Sequence, residues 1–228
     1  MTYMETREQI CDICHKMWQK GWVAANDGNV SARLADGNIM TTPTGLSKSV
    51  IQPEMLVIVD IDGNIIEANE GYKPSSETKM HLRCYKDRPD VNGVVHAHPP
   101  ISTAYAVADI ALDRYSMIET AVTLGSVPVT PYATPSTDEV PEAIAPYLQQ
   151  HDALLLQNHG ALTVSCDVMT AYYRMETLEH FAKISLIAHL LGGAKEIPAD
   201  RIDTLMDLRE NRYHIPGKHP GYKHYNKD

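Results

Sequence analysis

The chain has 228 residues, of which 43% are hydrophobic and 21% charged. That is enough apolar material for a substantial core, and too ordinary a charge fraction for disorder. Its net charge of -9 excludes nonspecific nucleic-acid binding and docking on anionic membrane, since both need positive charge. An anionic ligand must then be held by local donors or by a metal.

Residues 1–6 carry neither a basic nor an apolar signal-peptide region, and no apolar stretch is long enough to span a bilayer. A cytoplasmic protein is expected. The first helix is read from the capping-box spacing of Thr6-Arg7-Glu8-Gln9 and from Ile10, Ile13, Cys14 and Met17 on one face. It should end near Lys20, before Gly21. Cys11-Asp12-Ile13-Cys14-His15 matches haem-attachment and redox-dithiol patterns, but on this helix Cys14 reads as a small core residue.

Two hairpins follow, pairing residues 30–34 with 39–42 across Asp36-Gly37, and 56–61 with 65–66 across Asp62-Gly63. A helix over 76–86, capped by Ser75 or Ser76, leads to a strand over 94–98. Residues 101–108 read as helix, 118–135 as strand and loop, and 138–150 as helix with Ser136 or Thr137 as cap. A buried strand over 153–157 delivers Asn158-His159-Gly160. A long helix starts near Asp167 and stops at Gly192-Gly193. The Pro- and Gly-rich stretch 216–220 reads as irregular. The alternation of helices and strands predicts one layered α/β domain over 1–228, with 211–228 as a tail at a subunit interface.

Four places can carry chemistry. In His96-Ala97-His98 the two imidazoles lie two residues apart, so on a strand both face one pocket, the usual start of a transition-metal site. His159, at the end of a second apolar strand, is a candidate third ligand. Lys73-Pro74-Ser75-Ser76-Glu77 places two hydroxyls and a carboxylate at a helix start, where an anion finds donors and Glu77 could ligate metal or act as a general base. The loops Asn26-Asp27-Gly28-Asn29-Val30-Ser31 and Thr42-Pro43-Thr44-Gly45-Leu46-Ser47 let backbone approach a ligand closely. No Walker or dinucleotide glycine pattern is present. No lysine sits at an apolar strand end where it would be tuned as a Schiff base.

Asp27-Gly28-Asn29-Val30-Ser31-Ala32-Arg33, Thr42-Pro43-Thr44-Gly45, Pro74-Ser75-Ser76-Glu77, His96-Ala97-His98 and Gln157-Asn158-His159-Gly160, in this order and spacing, resemble the class II aldolase and adducin family. The resemblance runs from helix one to about Gly193. It implies an α/β/α three-layer domain with a mixed, mostly antiparallel sheet. It implies a divalent ion, usually Zn2+, held by His96, His98 and His159, with Glu77 as catalytic acid/base and as a further metal contact. It implies a phosphate pocket of Gly28, Asn29, Thr44, Gly45, Ser75 and Ser76. Family members commonly form homotetramers with interfacial active sites completed by a neighbour's tyrosine, for which Tyr115, Tyr213 and the tail tyrosines are candidates. At Asp27 some aldolases have a small uncharged residue.

Glutamate rather than aspartate after the paired serines points, within this resemblance, to an aldolase. Such an enzyme would cleave a ketose 1-phosphate resembling L-fuculose 1-phosphate into dihydroxyacetone phosphate and an aldehyde such as L-lactaldehyde. The alternatives are an L-ribulose-5-phosphate 4-epimerase and a sugar-phosphate dehydratase or decarboxylase. A non-enzymatic assembly module resembling adducin is the competing class, disfavoured because it has no need of three histidines and Glu77.

Overall fold

The computed structural model describes residues 2–221. Helix α1 (Tyr3–Gln19) starts one turn earlier than expected. Thr2, not Thr6, forms the capping box: its side chain accepts from the Glu5 amide, and the Glu5 carboxylate accepts from the Thr2 amide at 2.7 Å. Both threonines have the required spacing, and the earlier box adds a turn of backbone hydrogen bonds. Ile10, Ile13, Cys14 and Met17 face the core as predicted, with Cys14 wholly buried. His15 instead contacts the Ile51 carbonyl at 3.0 Å, so the Cys-x-x-Cys-His run is packing, not a haem or redox site.

The two hairpins form where the Asp-Gly turns placed them. Strand β1 (Asn29–Arg33) pairs with β2 (Ile39–Thr41), and β3 (Val57–Val59) with β4 (Ile65–Glu67). After helix α2 (Thr78–Asp87) come β5 (Gly93–Ala97), α3 (Pro100–Val107), α4 (Ile118–Thr123), β6 (Val129–Thr130) and α5 (Glu139–Leu148). Then β7 (Ala153–Leu156) and β8 (Gly160–Ser165) form a tight hairpin, followed by α6 (Val168–Leu190) and α7 (Ala199–Asp207). Asp167 caps α6, its carboxylate accepting from the Thr170 amide at 2.7 Å.

Among the described residues the eight strands form one sheet in the order β4-β3-β2-β1-β5-β8-β7-β6. Every pairing is antiparallel except β6 with β7. One core cluster packs α1 and α6 on one face of the sheet, through residues such as Ile13, Val30, Val95 and Met175. A second packs α2 and α5 on the other, through Met80, Tyr85, Val94 and Ile144. The expected α/β/α layering with a mixed, mostly antiparallel sheet is the one observed.

Four details differ from the sequence reading. Residues 118–123 are helix rather than strand or loop: Thr120, Ala121 and Val122 are buried, Thr120 Oγ1 folds back to the Met117 carbonyl, and α7 packs alongside. Helix α7 itself, short and largely polar, was not anticipated. Neither was β8, whose six residues are buried without alternation, the pattern of a central strand covered on both faces. On α5 neither Ser136 nor Thr137 is the cap residue; Asp138 holds that position and Thr137 Oγ1 accepts from the Glu139 amide at 3.2 Å.

The tail as far as 221 runs back over the domain, tied at Asp152 where β7 begins. The buried Asp152 carboxylate meets Arg88 Nη2 at 2.9 Å and Arg174 Nη1 at 3.0 Å, and accepts from the Lys218 amide at 2.8 Å. Tyr115 is buried, its hydroxyl donating to the Gly221 carbonyl. Tyr213 is 54% exposed, while the tail tyrosines Tyr222 and Tyr225 lie outside the described residues.

Candidate metal centre and active site

The sheet brings the three histidines together. His96 lies on β5, His98 just past its end, and His159 in the turn from β7 to β8, the strand that pairs with β5. Their ring centroids are 4.7–5.1 Å apart, and one ligand nitrogen from each lies within 4.8 Å of the others. His96 is fully buried and its Nδ1 meets the Ala161 carbonyl at 2.9 Å. That bond puts the proton on Nδ1 and leaves the Nε2 lone pair facing the other two rings. Burial, together with the neighbouring imidazoles, pushes the His96 pKa down to about 3, and burial likewise lowers that of His98. Both are neutral at pH 7, the state in which imidazole binds a metal.

Gly160 makes this convergence possible through space. A Cβ there would stand 2.5 Å from His98 Cδ2 and 2.6 Å from the Ala97 carbonyl oxygen. The tight turn is instead taken by Asn158, with φ 57°. Asp27, the departure noted from the sequence, has a place in the site: its Oδ2 lies 3.4 Å from His98 Nδ1. A carboxylate behind a ligating imidazole fixes the ring and raises its basicity.

Glu77 sits at the position before α2, and neither Ser75 nor Ser76 caps that helix as predicted. Ser75 Oγ accepts from the Glu77 amide at 3.3 Å, while the Glu77 side chain turns from the helix towards the histidines. Its Oε1 is 3.1 Å from His159 Nε2, and its Oε2 is 3.4 Å from His96 Nε2 and 2.8 Å from the Asn29 amide nitrogen. Burial works against ionisation here, but His96, His159 and Asn29 outweigh it and hold the carboxyl below the usual range.

Gly28, Asn29, Thr44, Gly45, Ser75 and Ser76 line one cavity of about 200 Å³, with Asp27, Glu77, His98 and His159 on its wall. All six residues assigned to a phosphate by resemblance therefore face the same space as the metal-ligand candidates. At Gly28 (φ 71°) a Cβ would strike Val23 at 2.6 Å and the His96 carbonyl at 3.0 Å, so this loop presses directly on the histidine strand. A larger cavity of about 700 Å³, lined by Tyr105, Leu112, Phe181 and Leu186, lies between α3 and the end of α6 and is mostly apolar.

Two side chains around this site escaped the sequence reading. His81, four residues after Glu77 on the inward face of α2, is fully buried, with Nδ1 2.6 Å from Ser31 Oγ. Ser31 Oγ in turn lies 2.8 Å from the Tyr85 hydroxyl. The i, i+4 spacing was the available signal. Lys48, in the turn after the second glycine loop and not at a strand end, is 1% exposed, and the sequence reading did not single it out. Its place between Leu46 and Val50-Ile51 was the signal.

The sequence profile of the class II aldolase and adducin N-terminal domain matches residues 8–186. The chain belongs to the class II aldolase and adducin family. It is 35% identical over 184 residues to the L-fuculose phosphate aldolase of Methanococcus vannielii, covering 81% of this chain and 97% of that protein. It is 33% identical over 186 residues to the 3-oxo-tetronate 4-phosphate decarboxylase of Escherichia coli, covering 79% and 86%. A solved L-fuculose 1-phosphate aldolase superposes with a TM-score of 0.83 at 27% identity, over 92% of this chain and all of that one.

The donor set fits the family's metal. Three imidazoles whose ring nitrogens converge, two of them held from behind by Ala161 and Asp27, are a ligand set for zinc or a similar divalent transition ion.

Proposed function

We propose that this protein is a metal-dependent aldolase that reversibly cleaves a ketose 1-phosphate, of the L-fuculose 1-phosphate type, to dihydroxyacetone phosphate and a short aldehyde. The observation that carries the reading is the placing of Glu77 Oε1 3.1 Å from His159 Nε2, on the wall of the cavity lined by Thr44, Gly45, Ser75 and Ser76.

His96, His98 and His159 would hold a divalent ion, which would supply Lewis acidity to polarise the substrate's carbonyl. The glycine loops and paired serines grip the phosphate and so fix the distance from that handle to the reacting carbons. In the synthetic direction the Glu77 carboxylate removes a proton from C3 of dihydroxyacetone phosphate, and C3 attacks the aldehyde carbon. The resulting C4 oxygen takes a proton from solvent, and Glu77 releases its own to solvent. In cleavage the C3–C4 bond breaks and its electron pair remains on C3, conjugated with the C2 carbonyl. The C4 hydroxyl loses its proton to solvent as it becomes the aldehyde, and the Glu77 carboxylate takes up a proton from solvent and passes it to C3, ending ionised as it began. Asn29, bonded to Glu77 Oε2, holds the carboxylate for both directions.

Decarboxylation is the second reading, supported by the 33% identity to the decarboxylase. A 3-oxo acid that loses carbon dioxide also leaves an electron pair beside a ketone, so the same groups serve either reaction. We infer further that the protein is cytoplasmic and acts as a homotetramer. The exposed Ile187, Leu190 and Leu191 at the end of α6 offer apolar surface for such an assembly. Among the described residues no helix is long and apolar enough to cross a membrane.

The deciding experiment incubates zinc-loaded protein with L-fuculose 1-phosphate and, separately, L-ribulose 5-phosphate, and follows dihydroxyacetone phosphate release. Release from the first, abolished by a chelator, is expected. Full activity of metal-free protein overturns the metal assignment, and decarboxylation of a 3-oxo acid phosphate without aldol cleavage favours the second reading.

A further inference from the structure

The cavity lined by the glycine loops presents no lysine or arginine, and two of its walls, Asp27 and Glu77, are carboxylates. A doubly charged phosphate set there meets carboxylates and no cationic side chain. The cation lies one layer down. Lys48 is 1% exposed, and its ammonium donates to the Asn26 carbonyl at 3.1 Å and the Leu46 carbonyl at 3.0 Å. Those carbonyls belong one to each glycine loop, so a single side chain ties the two loops together from below.

Among the described residues no carboxylate comes within ion-pair distance of that ammonium. A buried ammonium held only by neutral carbonyls is costly, because it has lost its water and gained no counter-ion. Two other buried cations among the described residues, Arg88 and Arg174, both meet the Asp152 carboxylate. Burial lowers the Lys48 pKa, while Asp27 and Glu77, on the cavity wall, work to keep it charged. The uncompensated charge and the anion-shaped cavity answer one another.

We propose that Lys48 is a positioning residue of the phosphate subsite, which locks the two glycine loops in register and balances the charge of a bound phosphate without touching it. The inference rests on the reading of the loops as a phosphate site. It implies that selectivity for phosphorylated over unphosphorylated ketones is set from beneath the pocket. Because the ammonium is shielded from solvent, salt screens its contribution weakly.

The test compares dihydroxyacetone phosphate with dihydroxyacetone, two ketones alike except for the phosphate, as ligands of the zinc-loaded protein. The wild-type protein should prefer the phosphate ester strongly. Lys48→Gln, which keeps amide donors but loses the charge, should reduce that preference by about tenfold or more, with dihydroxyacetone affinity and zinc content unchanged. In turnover the loss should appear in KM for the phosphorylated ketose and little in kcat. A wild type that binds both ketones equally overturns the phosphate site itself. A strong wild-type preference that Lys48→Gln retains overturns the role of Lys48 alone. Should the variant fail to fold, the Lys48 side-chain NMR signals of the wild type decide: they should shift on saturation with the phosphate ester and not with dihydroxyacetone, and an unchanged signal overturns the proposal.

Discussion

Asn29 donates to Glu77 Oε2 at 2.8 Å, joining the first residue of β1 to the carboxylate that faces the three histidines. The same residue lines the cavity proposed to hold the phosphate, so on that proposal one amide would couple the handle of the substrate to Glu77. Asn29→Ala should lower kcat by about ten- to a hundredfold, the worth of a hydrogen bond to a charged group, with zinc content unchanged. Steady-state kinetics alongside metal analysis checks this.

Asp27 and His98 make a second pair. Asp27→Asn keeps the size of the side chain and removes the charge behind the ring, so zinc affinity should fall about ten- to a hundredfold. Competition against a chelator of known strength measures it. The overall fold should be untouched, since Asp27 is substantially exposed.

Gly160→Ala should do more damage than its size suggests. The added methyl would meet His98 Cδ2 at 2.5 Å and backbone at 2.6 Å, and backbone cannot move aside cheaply. Overpacking of this kind costs about 1–3 kcal/mol. Both a lower thermal midpoint and substoichiometric zinc are expected.

His81 gives the fold a dependence on acidity. Burial pushes its pKa down to about 4, against 6.5 in the unfolded chain. Below about pH 6.5 the unfolded chain takes up a proton that the folded protein refuses, so stability is complete above that pH and declines towards pH 4, by about 1.4 kcal/mol per unit for this one group. In urea titrations of zinc-loaded protein between pH 7 and 4.5, His81→Gln should show a shallower decline.

Asp152 anchors the tail through Arg88, Arg174 and the Lys218 amide. Asp152→Ala leaves two buried guanidinium groups uncompensated and should destabilise the protein by about 3–5 kcal/mol. Limited proteolysis should then cut the chain close to Pro216, whose carbonyl accepts from Arg174.

The site was more legible than the scaffold around it. His96, His98, His159 and Glu77 are readable because metal ligation and proton transfer need particular residue types, and strand alternation says which of them share a face. The two Asp-Gly hairpins and the caps at Thr2 and Asp167 are local chemistry, although two threonines competed for the first cap. Helix α4 and strand β8 were harder, because their state is set by burial against distant elements: β8 is covered on both faces and has no alternation to read. Lys48, His81 and the duty of Asp27 depend on what lies across a gap in space. Nothing beside them in sequence states that Asn26 and Leu46 turn their carbonyls to one ammonium.

The pairing of β5 with β8, Ala97 opposite Ala161 and His96 opposite Leu162, has a consequence for the order of events in the protein's life. His96 is held by strand pairing and by its Nδ1 bond to the Ala161 carbonyl, and His159 by a backbone turn, so the chain's own hydrogen bonds bring these two ligands into place. Such a receptacle is finished when the sheet is finished. Unlike a zinc finger, which cannot fold until its ion arrives, this chain should fold first and load afterwards. The ion it carries would then follow the divalent metals at hand once folding is over, and could be exchanged without unravelling the protein.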